Sequence, residues 1–255
     1  MAAFAAQHWG QSTFRLAAAG VVIYTDPYLS DSVERLEGPS ARRLRPAPRA
    51  PHEIDDADWV VVSHDHLDHC DPDTLVPLLA ASPRARVLAP EPARRVLMSA
   101  GVDPSRLVSA SESWHALGDA VRVHPIIAAH PRPARDASGA PTHVGFVFDH
   151  AGHRVYFAGD TKPDEAVLRA LDQLRPIATA ILPINEKNFF RDAAGIVGNM
   201  SVREAFGMTH RIGAQTLVPM HYDMFAPNSV LPDEVRVLHD HAKPPFTLAF
   251  DPTSV

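Results

Sequence analysis

The residues best suited to chemistry are the six at positions 64–69, which read His-Asp-His-Leu-Asp-His. Two imidazoles two residues apart, His64 and His66, can converge on one ion where a strand gives way to a tight turn. Asp68 and His69 come one turn later, point elsewhere and can hold a second ion. Borderline divalent metals such as zinc accept this mixture of imidazole and carboxylate ligands. The string therefore predicts a site for two metal ions.

The segments around this string have the patterns of strands and helices. Residues 59–63 read Trp-Val-Val-Val-Ser, a β-branched run typical of a buried strand, and they end where the string begins. Residues 12–16 and 21–25 flank a short turn region and predict a hairpin. Asp71-Pro72 predicts the start of a helix. Further strands are predicted at 86–89, 121–127, 145–148, 154–158, 180–183 and 216–219, and further helices at 91–99, 165–174 and 202–212.

Strands interspersed with helices, with no linker between them, predict one layered α/β domain over residues 1–255. The Pro- and Arg-rich stretch 38–52 has no periodicity, and strand patterning resumes directly after it, so it is predicted to be a loop. Hydrophobic residues make up 45% of the 255 residues, which is enough for a sizeable core.

The composition also bears on the partners and the compartment. A formal net charge of −6 gives no support to a nucleic-acid or anionic-membrane partner. No stretch approaches the roughly 20 apolar residues of a membrane span, and the N-terminus lacks the basic region of a signal peptide. A single cysteine, Cys70, excludes an intrachain disulfide and fits a reducing compartment. We therefore expect a cytoplasmic protein that acts on a small molecule, with no nucleic acid and no membrane as partner.

Residues 64–69 resemble the hallmark motif of the metallo-β-lactamase superfamily, and other pieces recur in that superfamily's order. Ala129-His130, Ala158-Gly159-Asp160-Thr161 and Val218-Pro219-Met220-His221 each follow a strand-like run. The resemblance implies an α/β fold, the four-layer αβ/βα metallo-β-lactamase sandwich, with the site at one edge between two sheets. It also implies assembly into a homo-oligomer.

Within this superfamily, the sequence is most similar to the L-ascorbate-6-phosphate lactonase group. The resemblance extends from about Trp9 to Phe225. The pieces that carry it are Gly10-Gln11-Ser12, Asp26-Pro27-Tyr28-Leu29-Ser30-Asp31, Leu182-Pro183-Ile184-Asn185, Gly198-Asn199-Met200 and His221-Tyr222-Asp223-Met224-Phe225. Each piece is short, but their order together is specific.

The resemblance implies a role for each matching position. The first metal would be bound by His64, His66 and His130, the second by Asp68, His69 and His221, and Asp160 would bridge the two. His124 and His143 are the alternatives to His130, which alone follows its strand into a loop. The alternative role of Asp160 is a helix N-cap, and that of His221 is a core histidine.

Several polar residues are predicted to support the metals or the substrate. Asp26 follows a strand and could accept the distal N–H of a ligand histidine, or it could serve only the turn before Pro27. His143 is predicted at the rim of the site or simply at the start of a strand. The predicted substrate contacts on loops are Asn185, Lys187, Arg191 and Asn199, for which ordinary loop polarity is the alternative. Glu186 lies among them, and its carboxylate would repel a phosphate unless Lys187 or Arg191 neutralises it.

The predicted chemistry is hydrolysis with two divalent ions, zinc or manganese, although iron also fits these ligands. Such ions, about 3.5–4 Å apart, lower the pKa of a shared water. Asp68 and Asp160 are the predicted catalytic residues, with Asp68 moving the proton to the leaving group. The resemblance implies a sugar-acid lactone, phosphorylated or not, as substrate.

Three other functions fit the same motif. One is a phosphodiesterase, as in the ribonuclease Z and N-acylphosphatidylethanolamine phospholipase groups. Another is a non-catalytic metal-binding scaffold, which predicts a missing ligand, whereas none of the seven is missing. The third is a redox protein with iron, but the flavodiiron relatives use first sites richer in carboxylates, whereas this motif keeps His66.

Overall fold

The computed structural model describes residues 3–187, 189–193 and 195–255. The N-terminal half contributes a six-stranded sheet in which the strands lie in chain order. Its strands are β1 (Ala5–His8), β2 (Phe14–Ala18), β3 (Val21–Thr25), β4 (Trp59–Val61), β5 (Arg86–Ala89) and β6 (Leu107–Ser109). Strands β1 to β3 pair antiparallel, and β3 to β6 pair parallel.

The C-terminal half contributes a seven-stranded sheet, again with the strands in sequential order. Its strands are β7 (His115–Ala116), β8 (Val121–Ile127), β9 (Val144–His150), β10 (His153–Phe157), β11 (Thr179–Pro183), β12 (Thr216–Met220) and β13 (Thr247–Leu248). Strands β7 to β10 pair antiparallel and β10 to β13 pair parallel. Strands β8, β10, β11 and β12 therefore all run in the same direction.

Helices connect the parallel strands of both sheets. They are α1 (Ser32–Glu37), α2 (Pro72–Ala81), α3 (Glu91–Ser99), α4 (Glu165–Asp172), α5 (Phe189–Ala193), α6 (Val202–Ile212) and α7 (Pro232–Ala242). Asp71 caps α2 by accepting a hydrogen bond from the Asp73 N–H, and Pro72 fits the first turn, where its missing N–H costs nothing. None of the described helices is long and apolar enough to cross a membrane.

The two sheets pack face to face. Their inner faces share one core cluster, in which Phe14 and Ile23 of the first sheet lie with Phe146 and Phe157 of the second. A second cluster fills the outer face of the first sheet against α2 and α3. Helices α4 and α6 bury their apolar faces in the large cluster, on the second sheet. The layers are thus helix, sheet, sheet and helix, which confirms the four-layer αβ/βα sandwich.

The apolar periodicity predicted most of the site-bearing elements. The hairpin forms between β2 and β3, with its turn at Ala19-Gly20, and the predicted helix at 91–99 is α3. Residues 38–52 form a loop with two short 3₁₀ turns, Pro39–Ala41 and Pro51–Glu53. The short strands β1, β6, β7 and β13 and the helices α1, α5 and α7 had no strong pattern in the sequence and were not predicted.

Candidate metal centre

The chemically active residues lie at one edge of the sandwich because parallel strands end there. Residues 64–69 follow β4, and Asp26 follows the neighbouring strand β3. In the second sheet, His130, Asp160 and His221 follow β8, β10 and β12, which run in the same direction. Ligands bind at the carboxyl ends of parallel strands for this same topological reason. The fold therefore brings residues distant in sequence to a single site.

The seven predicted ligands converge in three overlapping groups, in each of which the potential ligand atoms lie within 4.8 Å of one another. The groups are His64 with His66 and His130, His64 with His69 and Asp160, and Asp68 with His69 and His221. The first group lies around three imidazole rings with centroids 4.5–5.3 Å apart. The third combines two imidazoles with a carboxylate. These two groups have the composition expected for two adjacent cation sites.

In the group of Asp68, His69 and His221, nitrogen and oxygen atoms face a common centre. His221 Nε2 lies 3.2 Å from His69 Nε2 and 3.4 Å from Asp68 Oδ2. His69 Nε2 is 3.5 Å from the same oxygen. These separations suit ligands that each lie about 2 Å from one shared ion.

Asp160 stands between the two ends of the cluster. Its Oδ1 is 3.3 Å from His221 Nε2 and 3.4 Å from His69 Nε2, whereas its Oδ2 is 3.6 Å from His130 Nε2. The two oxygens of one carboxylate thus face different histidine sets. The alternative role as an N-cap falls to Asp164, whose side chain accepts from the Ala166 N–H at the start of α4.

A buried hydrogen-bond network orients the histidines. Asp26 accepts from the Ser63 N–H (2.7 Å), from Ser63 Oγ (2.6 Å) and from His69 Nδ1 (2.7 Å). Since the only hydroxyl proton of Ser63 goes to Asp26, its Oγ accepts from His64 Nδ1 at 2.9 Å. Each Nδ1 thus donates to a fixed partner, and the Nε2 atoms of both imidazoles are directed toward the cluster. Asp26 therefore orients His69 in addition to any role in the turn before Pro27. Ser63 was not predicted as a site residue.

Gln11 is a second residue that the sequence did not single out for the site. Its amide nitrogen lies 2.6 Å from Asp68 Oδ2 and 3.0 Å from His221 Nε2. Its backbone oxygen accepts from the His221 N–H, and its N–H donates to Asp223. Gln11 has φ +54°, the left-handed region, and lies in the loop between β1 and β2. A buried polar residue in the left-handed conformation is the signal that could have found it, but φ is not readable from sequence.

The carboxylates make one end of the cluster attractive to positive charge. Burial opposes protonation of His69, but Asp160 and Asp68 outweigh burial and raise its pKa well above its ordinary value. At His221, burial is likewise outweighed by Asp160 and Asp68, and the pKa rises to about 9. Burial works against ionised Asp160, yet His221 and His69 hold its pKa well below the usual range. The acidic residues here would favour a bound cation for the same electrostatic reason that they favour protonated histidine.

The opposite end of the cluster holds neutral imidazoles. Burial, with the neighbouring histidines, lowers the pKa of His64 well below its ordinary value and lowers that of His130. The Nε2 atom of His64 and Oδ1 of Asp160 are buried and have no hydrogen-bond partner among the described residues. Buried polar atoms are ordinarily paired. The unpaired Nε2 of neutral His64, together with carboxylate oxygens turned toward the same centre, fits a divalent metal ion.

Backbone contacts hold His130 beside Asp160. The Ala129 N–H donates to Thr161 Oγ1 at 2.9 Å, and the Lys162 N–H donates to the Ala129 carbonyl at 2.9 Å. The loop after β8 is thereby fastened to the loop after β10. Of the three candidate histidines, His130 is the one that belongs to a potential ligand group. His124 lies on β8, where its ring nitrogen bonds to the Pro125 carbonyl.

Gly159 is required where the second sheet approaches Ser63. It has φ +57°, and a Cβ there would lie 2.6 Å from Ser63 Cβ and 2.9 Å from Ser63 Oγ. We expect Gly159→Ala to lower the free energy of unfolding by about 2–4 kcal/mol, through left-handed strain and overpacking. Because Ser63 orients His64, metal affinity should fall as well. Chemical denaturation and metal titration measure the two effects.

The matched control for this substitution is Gly213→Ala. Gly213 also has a left-handed backbone, with φ +75°, but its nearest atom to an added Cβ is 3.6 Å away. It should therefore show the conformational cost of about 1–2 kcal/mol and unchanged metal affinity. Equal losses in both variants would show that the close contact with Ser63 does not matter.

A cavity of about 620 Å³ opens above the cluster. Five of the seven predicted ligands line it, namely His66, Asp68, His130, Asp160 and His221. The remaining wall comes from α1 and the segment after it, from residues 195–197, and from Leu67, Asn185, Phe225, Pro227 and Asn228. The cluster is therefore reachable by a small molecule.

The predicted substrate residues occupy different positions around this cavity. Asn185 lines it, and the Asn185 side chain accepts from the Asn199 N–H at 3.1 Å. His143 lies beside the first histidine group, with its ring centroid 5.1 Å from that of His64, and burial lowers its pKa to about 4. Lys187 pairs with Glu204 at 2.6 Å, and Arg191 donates to the backbone carbonyls of Asn185 and Ser229. Lys187, Arg191 and Asn199 are not among the cavity-lining residues.

Glu186 is not among the cavity-lining residues either. Its carboxylate accepts from the Val202 N–H at 3.1 Å, at the start of α6. A helix N-terminus favours negative charge, so Glu186 stabilises α6. Lys187 instead pairs with Glu204, and Arg191 donates to the backbone carbonyl of Ser229.

A family model described as a Beta-lactamase superfamily domain matches residues 22–222. An uncharacterized protein of Mycobacterium tuberculosis is 30% identical over 217 residues, which cover 85% of this chain and 58% of that protein. The N-acyl-phosphatidylethanolamine-hydrolyzing phospholipase D 1 of Caenorhabditis elegans is 26% identical over 184 residues, covering 69% and 52%. The chain thus spans little more than half the length of these two relatives. A UPF0173 metal-dependent hydrolase of Rubrobacter xylanophilus is 28% identical over 243 residues, covering 92% and 86%.

Solved structures are similar over nearly the whole chain. The metallo hydrolase Igni18 of Ignicoccus hospitalis superposes with a TM-score of 0.71 and 20% identity, over 99% of this chain and 97% of the other. A possible metal-dependent hydrolase of Veillonella parvula superposes with a TM-score of 0.75 and 17% identity, over 100% and 98%. At such identities the likeness concerns the fold.

Proposed function

Since this chain belongs to the metallo-β-lactamase superfamily of metal-dependent hydrolases, we propose that it binds two divalent metal ions, zinc or manganese, and hydrolyses a lactone. The observation that carries this proposal is the convergence of seven His and Asp side chains beneath an open cavity. A non-catalytic scaffold would not need every ligand, the residues that orient the ligands and an open route to them.

The proposed ligand assignment follows the geometry of the cluster. His64, His66 and His130 would hold one ion, and Asp68, His69 and His221 the other, with an oxygen of Asp160 toward each. When bound, such ions lower the pKa of a water molecule and polarise an ester carbonyl.

The chain's own residues supply orientation and proton transfer. Asp26 and Ser63 fix the proton of each oriented imidazole on Nδ1, which leaves the Nε2 atoms available. Asp68 is the best placed carboxylate to carry a proton at Oδ2 to the leaving alkoxide, because it is half-buried and lines the cavity. Gln11 Nε2 donates to that same oxygen and so orients the carboxylate.

A lactone fits the cavity better than an anionic phosphodiester does. The cavity wall includes Glu37 and, among the described residues, no lysine or arginine. Apart from the proposed metal ions, an anionic phosphodiester would therefore meet no cationic side chain in this wall, although phosphate recognition ordinarily recruits such side chains. A phosphodiesterase is the second candidate, and the similarity to the C. elegans phospholipase over 69% of the chain favours it.

The test compares both reactions on protein reconstituted with zinc or manganese. We expect γ-lactone hydrolysis at least about 10⁶-fold faster than in buffer, no comparable cleavage of bis-p-nitrophenyl phosphate, and loss of activity in His66→Ala. His66 is exposed, so its replacement should leave the fold intact. Preferential cleavage of the phosphodiester would replace the lactonase with a phosphodiesterase, and inert metal-loaded protein would contradict both.

A further inference from the structure

The residues that line the cavity above the metal centre fall into two chemically different sets. One is the cluster of histidines and aspartates. The other, here called the apolar arm, is formed by Val33, Leu36, Leu67, Ile196, Val197 and Phe225. Both sets line one cavity of about 620 Å³, so a single small molecule can contact both.

The inner part of the apolar arm is built into the core. Val33 and Phe225 are buried and belong to a small cluster with Tyr28, Ala41 and Met224, and Leu67 packs against that cluster. The Phe225 ring lies 5.8 Å from the Tyr28 ring. The shape of this wall is therefore maintained by packing and does not depend on an isolated surface side chain.

The outer part of the arm exposes large apolar side chains to solvent. Leu36 is 72% exposed and Val197 is 50% exposed. Both border the cavity and face it from different segments, one from α1 and the other from the segment after α5. Single exposed apolar residues are unremarkable, but two at the mouth of a cavity with an apolar wall mark a binding surface.

The charges around the arm do not suit a second anionic group on the substrate. Glu37 lines the cavity, and the described lining residues include no lysine or arginine. Lys187 is paired with Glu204, and Arg191 is held by backbone carbonyls. A phosphate held away from the metal ligands would therefore be desolvated without a cationic partner, which is unfavourable.

We propose that the substrate carries an apolar group next to its hydrolysable bond, which the apolar arm binds, and that it carries no phosphate. The inference rests on the proposed function for the reaction itself, but the binding of the apolar group does not require turnover. It names the substrate class as an alkyl- or aryl-substituted lactone, in contrast to a sugar phosphate.

Binding is measured first, by calorimetry, with lactams as unreactive analogues of lactones. The probes are 2-pyrrolidinone and 5-hexyl-2-pyrrolidinone, which differ only in the alkyl tail. Because a buried methylene contributes about 0.8 kcal/mol, burying even half of the tail should tighten binding at least about 30-fold. This gain should fall below about fivefold in Leu36→Glu and in Val197→Glu. The matched control is Val237→Glu on α7, where the side chain is 67% exposed and lies outside the cavity lining, and it should retain the full gain.

Turnover is measured on the same proteins with γ-butyrolactone, γ-decalactone and a phosphorylated sugar lactone. We expect kcat/KM to be highest for γ-decalactone, and this preference should disappear in the two arm variants. Equal binding of both lactams, or a gain unaffected by the arm variants, would overturn the apolar arm even if lactones are opened. Tail-dependent binding without hydrolysis of any lactone would retain the arm and contradict the lactonase.

Discussion

Asp160→Ala is expected to reduce turnover by metal-loaded protein on the order of 10³-fold or more and to lower the bound metal below two ions per chain. The reason is the position of this carboxylate, whose Oδ1 faces His69 and His221 and whose Oδ2 faces His130. Its removal takes one potential ligand from both ends of the cluster. It also removes the negative charge that offsets repulsion between the histidines. Metal analysis by mass spectrometry and a lactone assay measure the two losses.

The matched control is Asp164→Asn, four residues further along. Asp164 caps α4 through its side chain, and asparagine caps helices equally well. This variant should keep its metal content, activity and stability. If Asp160→Ala also kept two ions and full activity, the bridging role assigned to Asp160 would be wrong.

Asp26→Asn is expected to weaken metal binding about 10–100-fold while the chain remains folded. In the native chain, Asp26 accepts the proton of His69 Nδ1. An asparagine that turns its NH₂ group toward this nitrogen would donate to it and place the imidazole proton on Nε2. That atom faces Asp68 and Asp160, and once protonated it cannot be a metal ligand. Competition with a chromogenic chelator measures the affinity.

Asp149→Asn controls for the loss of a buried carboxylate. Asp149 is buried and accepts from the Gly152 N–H and from the side chains of Arg122 and Arg154, far along the sheet from the cluster. Both variants should lose about 1–3 kcal/mol of stability, but only Asp26→Asn should lose metal affinity. Matching metal affinities in the two variants would show that the Asp26 contact to His69 has no part in metal binding.

The sequence predicted the elements that deliver the ligands because their burial leaves a strong pattern. Strands such as β4 and β11 are buried on both faces and read as continuous apolar runs. The short strands β7 and β13 have two residues each, too few for any periodicity. They form because a neighbouring strand offers unpaired backbone groups, which is a property of the assembled sheet.

The candidate site likewise has residues that the sequence could predict and residues that it could not. The ligands were predictable because a metal requires particular residue types, and a motif at 64–69 fixes where to look. Ser63 and Gln11 were not predictable, because serine and glutamine are common in loops. Ser63 acquires its contact to Asp26 only when β4 pairs with β3. Gln11 contacts His221 only when the loop between β1 and β2 packs against the end of β12. The apolar arm combines α1 with residues near 196 and 225. Because these segments are far apart in sequence, no local sequence pattern predicts that they line one cavity.

We expect the chain to bind two metal ions and to need both for hydrolysis. The most direct measurement is a titration of metal-stripped protein with zinc and with manganese, following bound metal by native mass spectrometry and lactone hydrolysis in the same samples. We predict that binding saturates at two ions per chain and that activity rises with the second. Saturation at one ion, or two bound ions without hydrolysis of any ester or phosphodiester, would contradict a binuclear hydrolase.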